Sequence, residues 1–447
     1  LPIRTLSVVV IFAIVSVLEL FSSHEWVDHK VAVYDASGYY LYLPAVFIYH
    51  DLPSLEFYPE VNRKYNLSDQ EWYGIYKQPS TGRKLNKYPV GVALGELPLF
   101  FVAHTVCLLN HEYPPDGYSV PYQFCISFST LFWCIIGLWF TGKLLAAFFS
   151  ENVAAITLFF LAFGTNIYAY TCTSSGMSHL LVFAQFAILL WYCYKWLQTR
   201  RPAHLYIQGL LLGWIAITRP VDVFIAIIPL LWMTGTALKE QDFKQQLKEN
   251  LKYLLGGMLC GLFVLLLQLG YWKYVTGHWV YYSYEGEGFN FDKPHIVDGL
   301  FSYYKGWFVY TPVVLFALFG LFFLNARSKA LRIPIIIYLC VIIYVVFSWY
   351  YWSYGWGFGC RALIESLVVV AIPFAALIDR IKRSRTAAQM LACIIGCLLV
   401  ALNIFQTHQY ASNTLPEGIT KEYYWRVFLK MNATDEDRAA LRKMPVR

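Results

Sequence analysis

Charge is scarce in this 447-residue chain: Asp, Glu, Lys and Arg together make up 14% of it, against 58% hydrophobic residues and a mean hydropathy of +0.47. That scarcity excludes an ordinary soluble enzyme. No disulfide framework or zinc-ligand spacing is present, because the ten cysteines are scattered and most lie inside apolar runs; they read as small core residues. No internal repeat is visible, which speaks against a transporter built from related halves. No small-residue cleavage site follows the first apolar run, Thr5 to Phe21, so that run reads as a membrane span and not as a signal peptide. The chain opens on Leu1 instead of Met, so a few preceding residues are expected. The net charge of +7 does not form a nucleic-acid patch, and no nucleic-acid partner is expected.

What the chain does hold is a series of apolar runs of bilayer-crossing length. Eleven spans are expected, at 4–23, 122–148, 152–170, 177–197, 204–219, 220–237, 251–273, 307–325, 331–349, 361–379 and 387–406. Basic residues cluster in four short connections, 195–202, 239–252, 325–332 and 379–385. Such clusters mark the cytoplasmic side. All four fall on one side, with Arg4 and Lys143, only if the apolar run 89–110 does not cross. That run holds Pro89, Glu96, Pro98 and His104 and is expected to lie in the interface. The fold class is therefore an all-α polytopic membrane protein with the N-terminus inside and a long first outer loop, 24–121, carrying membrane-parallel helices. Residues 1–406 form the membrane domain and 407–447 an outer tail.

Chemistry is expected on the outer face, where the Tyr-, Trp- and Gly-rich segments gather. Asp35 stands just beyond the first span, where a carboxylate is costly without a partner or a task. With Lys87 at the other end of the loop, it is placed to flank a lipid phosphate and its sugar. An aromatic belt accounts for the tyrosines and tryptophans of these segments but not for those two charges.

Several stretches resemble one family in consistent order: YDASGYY (34–40), NKYPVGVAL (86–94, with Lys87 and Tyr88), GMSH (176–179), TRP (218–220), YEGEGFNFDKPH (284–295), YYKGWFVYTP (303–312) and YGWGFGCRALIE (354–365). Together with the long first outer loop they resemble the GT-C superfamily, integral-membrane glycosyltransferases fed by polyprenyl-phosphate sugars, including protein O-mannosyltransferases and the lipid A aminoarabinose transferase. An Asp-Glu pair at the first motif is missing, since Ala36 follows Asp35.

The resemblance implies a bacterial inner-membrane enzyme that moves a sugar from a polyprenyl phosphate to an acceptor hydroxyl on the outer face. It makes Asp35 the catalytic base, with helix capping as the alternative. Arg219, Arg361, Lys87 and Lys305 become candidates for the donor phosphate. Arg219 has Asp222 as an alternative structural partner, Arg361 has Glu365 one helical turn on, and for the two lysines the alternative is snorkelling to the headgroups. His179, Glu285, Glu287, His295 and Tyr88 are candidates for the sugar. No cofactor is implied, although Glu285 and Glu287 leave open a divalent cation shared with Asp35, as in the oligosaccharyltransferase branch. A lipid-linked sugar flippase and a non-catalytic subunit of a membrane complex remain the rival readings.

Overall fold

A computed structural model describes residues 1–237 and 243–442. Residues 238–242, which include the start of the 239–252 basic stretch, and residues 443–447 of the expected tail lie outside the described residues.

Helix α1 (Ile3–Ser23) starts beside the loop at residues 151–152, where the Arg4 backbone N–H donates to Glu151 at 2.6 Å, and ends where Phe21 meets Phe124. The first outer segment then builds a small domain of its own. It comprises α2 (Tyr34–Tyr40), α3 (Tyr42–Phe47), α4 (Tyr58–Tyr65), an antiparallel hairpin of β1 (Ile75–Lys77) and β2 (Lys84–Asn86), and α5 (Gly91–Leu109). Its core is aromatic, with Tyr40, Tyr58, Tyr118 and Tyr122 all buried. The sequence suggests an amphipathic helix along residues 38–52, yet α2 and α3 are short and largely buried. Pro44, which has no N–H to give the Tyr40 carbonyl, breaks that stretch into two pieces.

The bundle follows: α6 (Val120–Phe148), α7 (Glu151–Phe163), α8 (Asn166–Cys172), α9 (Ser178–Thr199), α10 (Pro202–Thr218), α11 (Ile227–Ala237) and α12 (Phe243–Thr276). After α12 come α13 (Ile296–Phe301), α14 (Trp307–Tyr310), α15 (Pro312–Phe319), α16 (Arg332–Phe347), α17 (Leu367–Lys382) and α18 (Thr386–Ala411). The tail adds α19 (Lys421–Val427) and α20 (Asp435–Arg442).

Packing orders the ends of the bundle. A Cβ on Gly137 would strike Phe183 and Ala184, and Phe148 meets Tyr194, so α6 and α9 run parallel. Gly209 and Gly213 of α10 lie against Gly257 and Gly261 of α12, so these two also run parallel, joined through α11. Asn325 donates to the Phe148 carbonyl at 3.1 Å, which puts the 325–332 connection at the α6 C-terminus. Lys143 sits over Trp191 at that same end. The described basic connections therefore share one end, as the charge pattern predicts, and Asp35, His179, Arg219 and Arg361 share the other.

The count of eleven spans is not confirmed. Among the described residues seven helices are long and apolar enough to cross a membrane, or eight if the pair α7 and α8, bent by 55°, is one span. Four expected spans are shorter or interrupted. Pro220 opens a 3₁₀ turn before α11, Pro312 separates α14 from α15, residues 361–366 turn before α17 begins, and α10 has 17 residues. Helix α5 is one of the seven. It runs antiparallel to the first half of α6, with the Gly95 carbonyl accepting from Trp133 at 3.0 Å and His104 bonded to Tyr122 at 2.6 Å.

Candidate active site

The hairpin and α2 fix the first half of the site. The Lys87 N–H donates to the Gly74 carbonyl at 2.9 Å, Asn86 Nδ2 donates to the Gly38 carbonyl at 2.7 Å, and the Tyr42 hydroxyl holds the Tyr88 carbonyl at 2.5 Å. Tyr88 then lays its ring on Gly38, where an added Cβ would come within 2.1 Å of it. The glycine of the YDASG stretch is thus required by the tyrosine of the KYP stretch.

Asp35 lies in the first turn of α2, whose N-cap is Val33. It is therefore not the helix cap. Its Oδ1 accepts from the Tyr88 hydroxyl at 2.6 Å and the Tyr73 hydroxyl at 3.0 Å, and its Oδ2 faces Arg361 Nη2 at 3.1 Å. Burial pushes this carboxyl up, but Arg361, the Tyr88 hydroxyl, Lys87 and the Tyr73 hydroxyl more than offset it and hold it below the usual carboxylate range. Asp35 is an ionised carboxylate at neutral pH.

Arg361 does not reach for Glu365. Residues Arg361–Leu363 form a 3₁₀ turn, so the four-residue spacing of an α-helix does not apply. Its Nε is buried with no hydrogen-bond partner. Glu365 pairs with Arg219 instead, accepting from Nη1 at 2.8 Å. Arg219 also donates to His179 Nδ1 at 2.6 Å and faces Asp222 at 3.3 Å through Nε. Both carboxylates are fully buried. Because Nδ1 of His179 accepts from an arginine, its ring proton is on Nε2. Lys87 forms an ion pair with Glu287 at 2.9 Å beneath the Tyr284 ring.

Asp35, Arg361, Arg219, His179, Lys87, Tyr88 and Glu287 all line one cavity of about 610 Å³. Three candidates lie elsewhere. Lys305 is buried, bonded to the Gly357 carbonyl and paired with Glu417 at 2.9 Å, so it braces the glycine-rich loop. Glu285 bonds Gln78 and Tyr281 outside the cavity. His295 pairs with Asp298 at 3.2 Å and stacks on Trp352. Glu285 is turned away from the cavity, and each Asp35 oxygen faces a donor. Among the described residues no three His, Cys, Asp or Glu side chains converge on one point. Tyr73, Tyr39, Tyr170 and Tyr284 also line the cavity and were not among the candidates, although Tyr39 and Tyr284 stand inside the YDASGYY and YEGEGFNFDKPH stretches. Glu365, named only as a partner for Arg361, supports the site through Arg219.

No family model and no curated protein matches the chain. Its structure is similar to that of the archaeal oligosaccharyltransferase AglB from Archaeoglobus fulgidus, solved in complex with an inhibitory peptide and a dolichol-phosphate. The TM-score is 0.50 at 13% identity, over 99% of this chain and 60% of that one. The fold is the GT-C fold. A second structure of the A. fulgidus oligosaccharyltransferase, tethered to an acceptor peptide containing the NVT sequon, aligns at a TM-score of 0.45 and 14% identity, over 99% of this chain and 59% of that one. The chain thus spans about 60% of the length of these solved structures. The GT-C fold accounts for the long outer segment after the first span and for a cavity built where outer segments meet.

Proposed function

We propose that the protein is a GT-C glycosyltransferase that moves a sugar from a polyprenyl phosphate to an acceptor hydroxyl at the outer face of a bacterial inner membrane. The observation that carries this reading is the Asp35–Arg361 pair in one cavity: a pinned carboxylate against a guanidinium whose Nε has no partner. The similar archaeal structure, solved in complex with a dolichol-phosphate, supports a lipid phosphate as donor.

In this reading the acceptor oxygen attacks the anomeric carbon from the face opposite the phosphate. The bond from that carbon to the phosphate oxygen breaks, and its electron pair leaves with the polyprenyl phosphate. The acceptor proton passes to Asp35, and the configuration inverts. Arg361 and Lys87 hold the growing phosphate charge with charge-assisted hydrogen bonds. Arg219 has a different task. Asp222 takes its Nε, and Glu365 and His179 take its Nη1, so it orients His179 toward the sugar. Tyr88 and Tyr73 hold Asp35 on the line of attack.

Asp35→Asn tests this. Asparagine keeps the size and the tyrosine contacts but cannot take the proton. Transfer by purified protein given a polyprenyl-phosphate sugar is expected to fall by ~10²–10⁴-fold while donor binding persists. Turnover close to that of the unaltered protein would reduce Asp35 to a structural partner of Arg361.

A further inference from the structure

The cavity has two unlike halves. The cations Lys87, Arg361 and Arg219 gather around Asp35 and toward Glu287. The other half is lined by Glu25, Lys30, Thr173, Ser174, Ser175 and Tyr410, with Tyr170 between the halves; Lys30 is paired with Asp28 at 2.8 Å. No motif covers Glu25, and nothing in the proposed transfer step uses these groups.

Their hydrogen-bonding capacity is unspent. Among the described residues neither the Glu25 carboxyl nor the Ser175 hydroxyl bonds another protein group, although both line the cavity. Thr173 gives its proton to the Ala169 carbonyl at 2.8 Å, which leaves its oxygen lone pairs free to accept. Tyr170 is 1% exposed, and its hydroxyl has no partner at all. That hydroxyl lies against Gly357, where an added Cβ would come within 2.1 Å of it and within 3.4 Å of Arg361 Cδ. An unpaired buried hydroxyl is costly, and several unpaired polar groups facing one space mark a ligand that is itself rich in donors and acceptors.

We propose that this half of the cavity seats the acceptor, and that the acceptor is the sugar of a glycan, its hydroxyls bonded by Glu25, Ser175 and Tyr170. The inference rests on the transferase reading given above. The one cation here, Lys30, is already answered by Asp28 and Glu25, so this half holds no spare positive charge for a phosphate and suits the uncharged partner of the reaction. Each sugar hydroxyl offers one donor and two acceptor positions, which matches a wall of hydroxyls and one carboxyl. The Tyr410 ring adds a flat face for the C–H side of a sugar ring. Burial lifts the Glu25 carboxyl to about 7, against the pull of Lys30, so near neutral pH it both donates and accepts. A peptide is recognised by a strand edge or by pockets for alternate side chains, and this wall supplies neither.

The test uses the full-length protein in nanodiscs, with methyl glycosides of glucose, mannose, galactose and N-acetylglucosamine and a neutral serine-containing pentapeptide as probes. Saturation-transfer NMR reads their binding, and decaprenyl phosphate binding is measured in parallel. At least one glycoside is expected to bind. Its affinity is expected to drop about tenfold in Glu25→Gln and about fivefold in Ser175→Ala, a loss of one or two hydrogen bonds. Decaprenyl phosphate affinity should stay unchanged in both variants. Tyr170→Phe removes an unpartnered hydroxyl, so it should weaken the glycoside without lowering thermal stability.

Glycoside affinities unmoved by all three substitutions would overturn the assignment, as would binding of the pentapeptide with no glycoside bound. An equal loss of decaprenyl phosphate affinity would give this half to the donor instead. Failure of the unaltered protein to bind decaprenyl phosphate would count against the transferase reading itself, whatever the glycosides do.

Discussion

At the scale of single residues the site turns on how Asp35 is held. Its ionised form is favoured by donors from three distant parts of the chain, Tyr73, Tyr88 and Arg361. Removing one donor should raise its pKa. Tyr88→Phe deletes the 2.6 Å hydrogen bond, and such bonds to a charged group contribute roughly 1.5–3 kcal/mol, about one to two pH units. In the proposed reaction Asp35 acts only when ionised, so activity is expected to be lost as pH falls through its pKa. The acid limb of the pH–rate profile of Tyr88→Phe is therefore expected to move to higher pH by about one unit or more. An unmoved limb would mean that another group sets it.

Seven of the ten candidate site residues, Asp35, Lys87, Tyr88, His179, Arg219, Glu287 and Arg361, line the cavity. They were legible because charge is rare enough in this chain for each outer charge to stand out. Their pairings were not legible. The Arg361–Glu365 spacing assumes an α-helix, and the 3₁₀ turn there sends Arg361 to Asp35 and Glu365 to Arg219. Glu25, in a stretch resembling nothing, carried no signal.

At the scale of elements α10 and α12 approach backbone to backbone. A Cβ on Gly209 would come within 1.9 Å of the Gly257 carbonyl, and one on Gly213 within 2.4 Å of that of Gly261. Both helices carry glycines four apart, a spacing that lets backbones approach in the absence of a hydrophobic drive between helices. Gly213→Leu forces the pair apart and should cost at least the ~1–3 kcal/mol of an overpacked core. The expected readout is a clear fall in Tm of the detergent-solubilised protein. Gly270→Ala, on α12 with nothing within 4 Å of the new methyl, is the matched control and should be neutral or slightly stabilising.

Long apolar helices such as α1, α6, α9 and α18 were legible from run length alone. The interrupted ones were not, because hydropathy does not record where proline or a site residue ends a helix. For α5, composition permits crossing while the charge pattern argues against it. Contacts with α6 fix its neighbour but not its depth.

The whole molecule offers the decision. The described basic connections lie at the end opposite the cavity, so orientation and active-site side are one question. If α5 stays in the outer interface, Asn110 and Arg201 face opposite sides of the membrane. Single cysteines at these two positions, in a background with the exposed Cys340, Cys393 and Cys397 changed to serine, should react differently with an impermeant maleimide in intact cells. Asn110 is expected to react and Arg201 to be protected. The reverse pattern, with Arg201 reactive and Asn110 protected, would mean that α5 crosses and that the downstream assignment reverses.

The brace behind the cavity bears on when the molecule becomes competent. Lys305 grips the Gly357 carbonyl while paired with Glu417, and the Tyr304 hydroxyl also bonds Glu417. Arg361 hangs from the loop held in this way, so its position depends on a residue made 56 positions later. A ribosome must synthesise α18 and residue 417 beyond it before that loop is fixed. A half-made chain holds Asp35, Tyr88 and Lys87 but lacks the final clip. In the proposed reaction, the order of synthesis would then keep an unfinished copy from consuming donor.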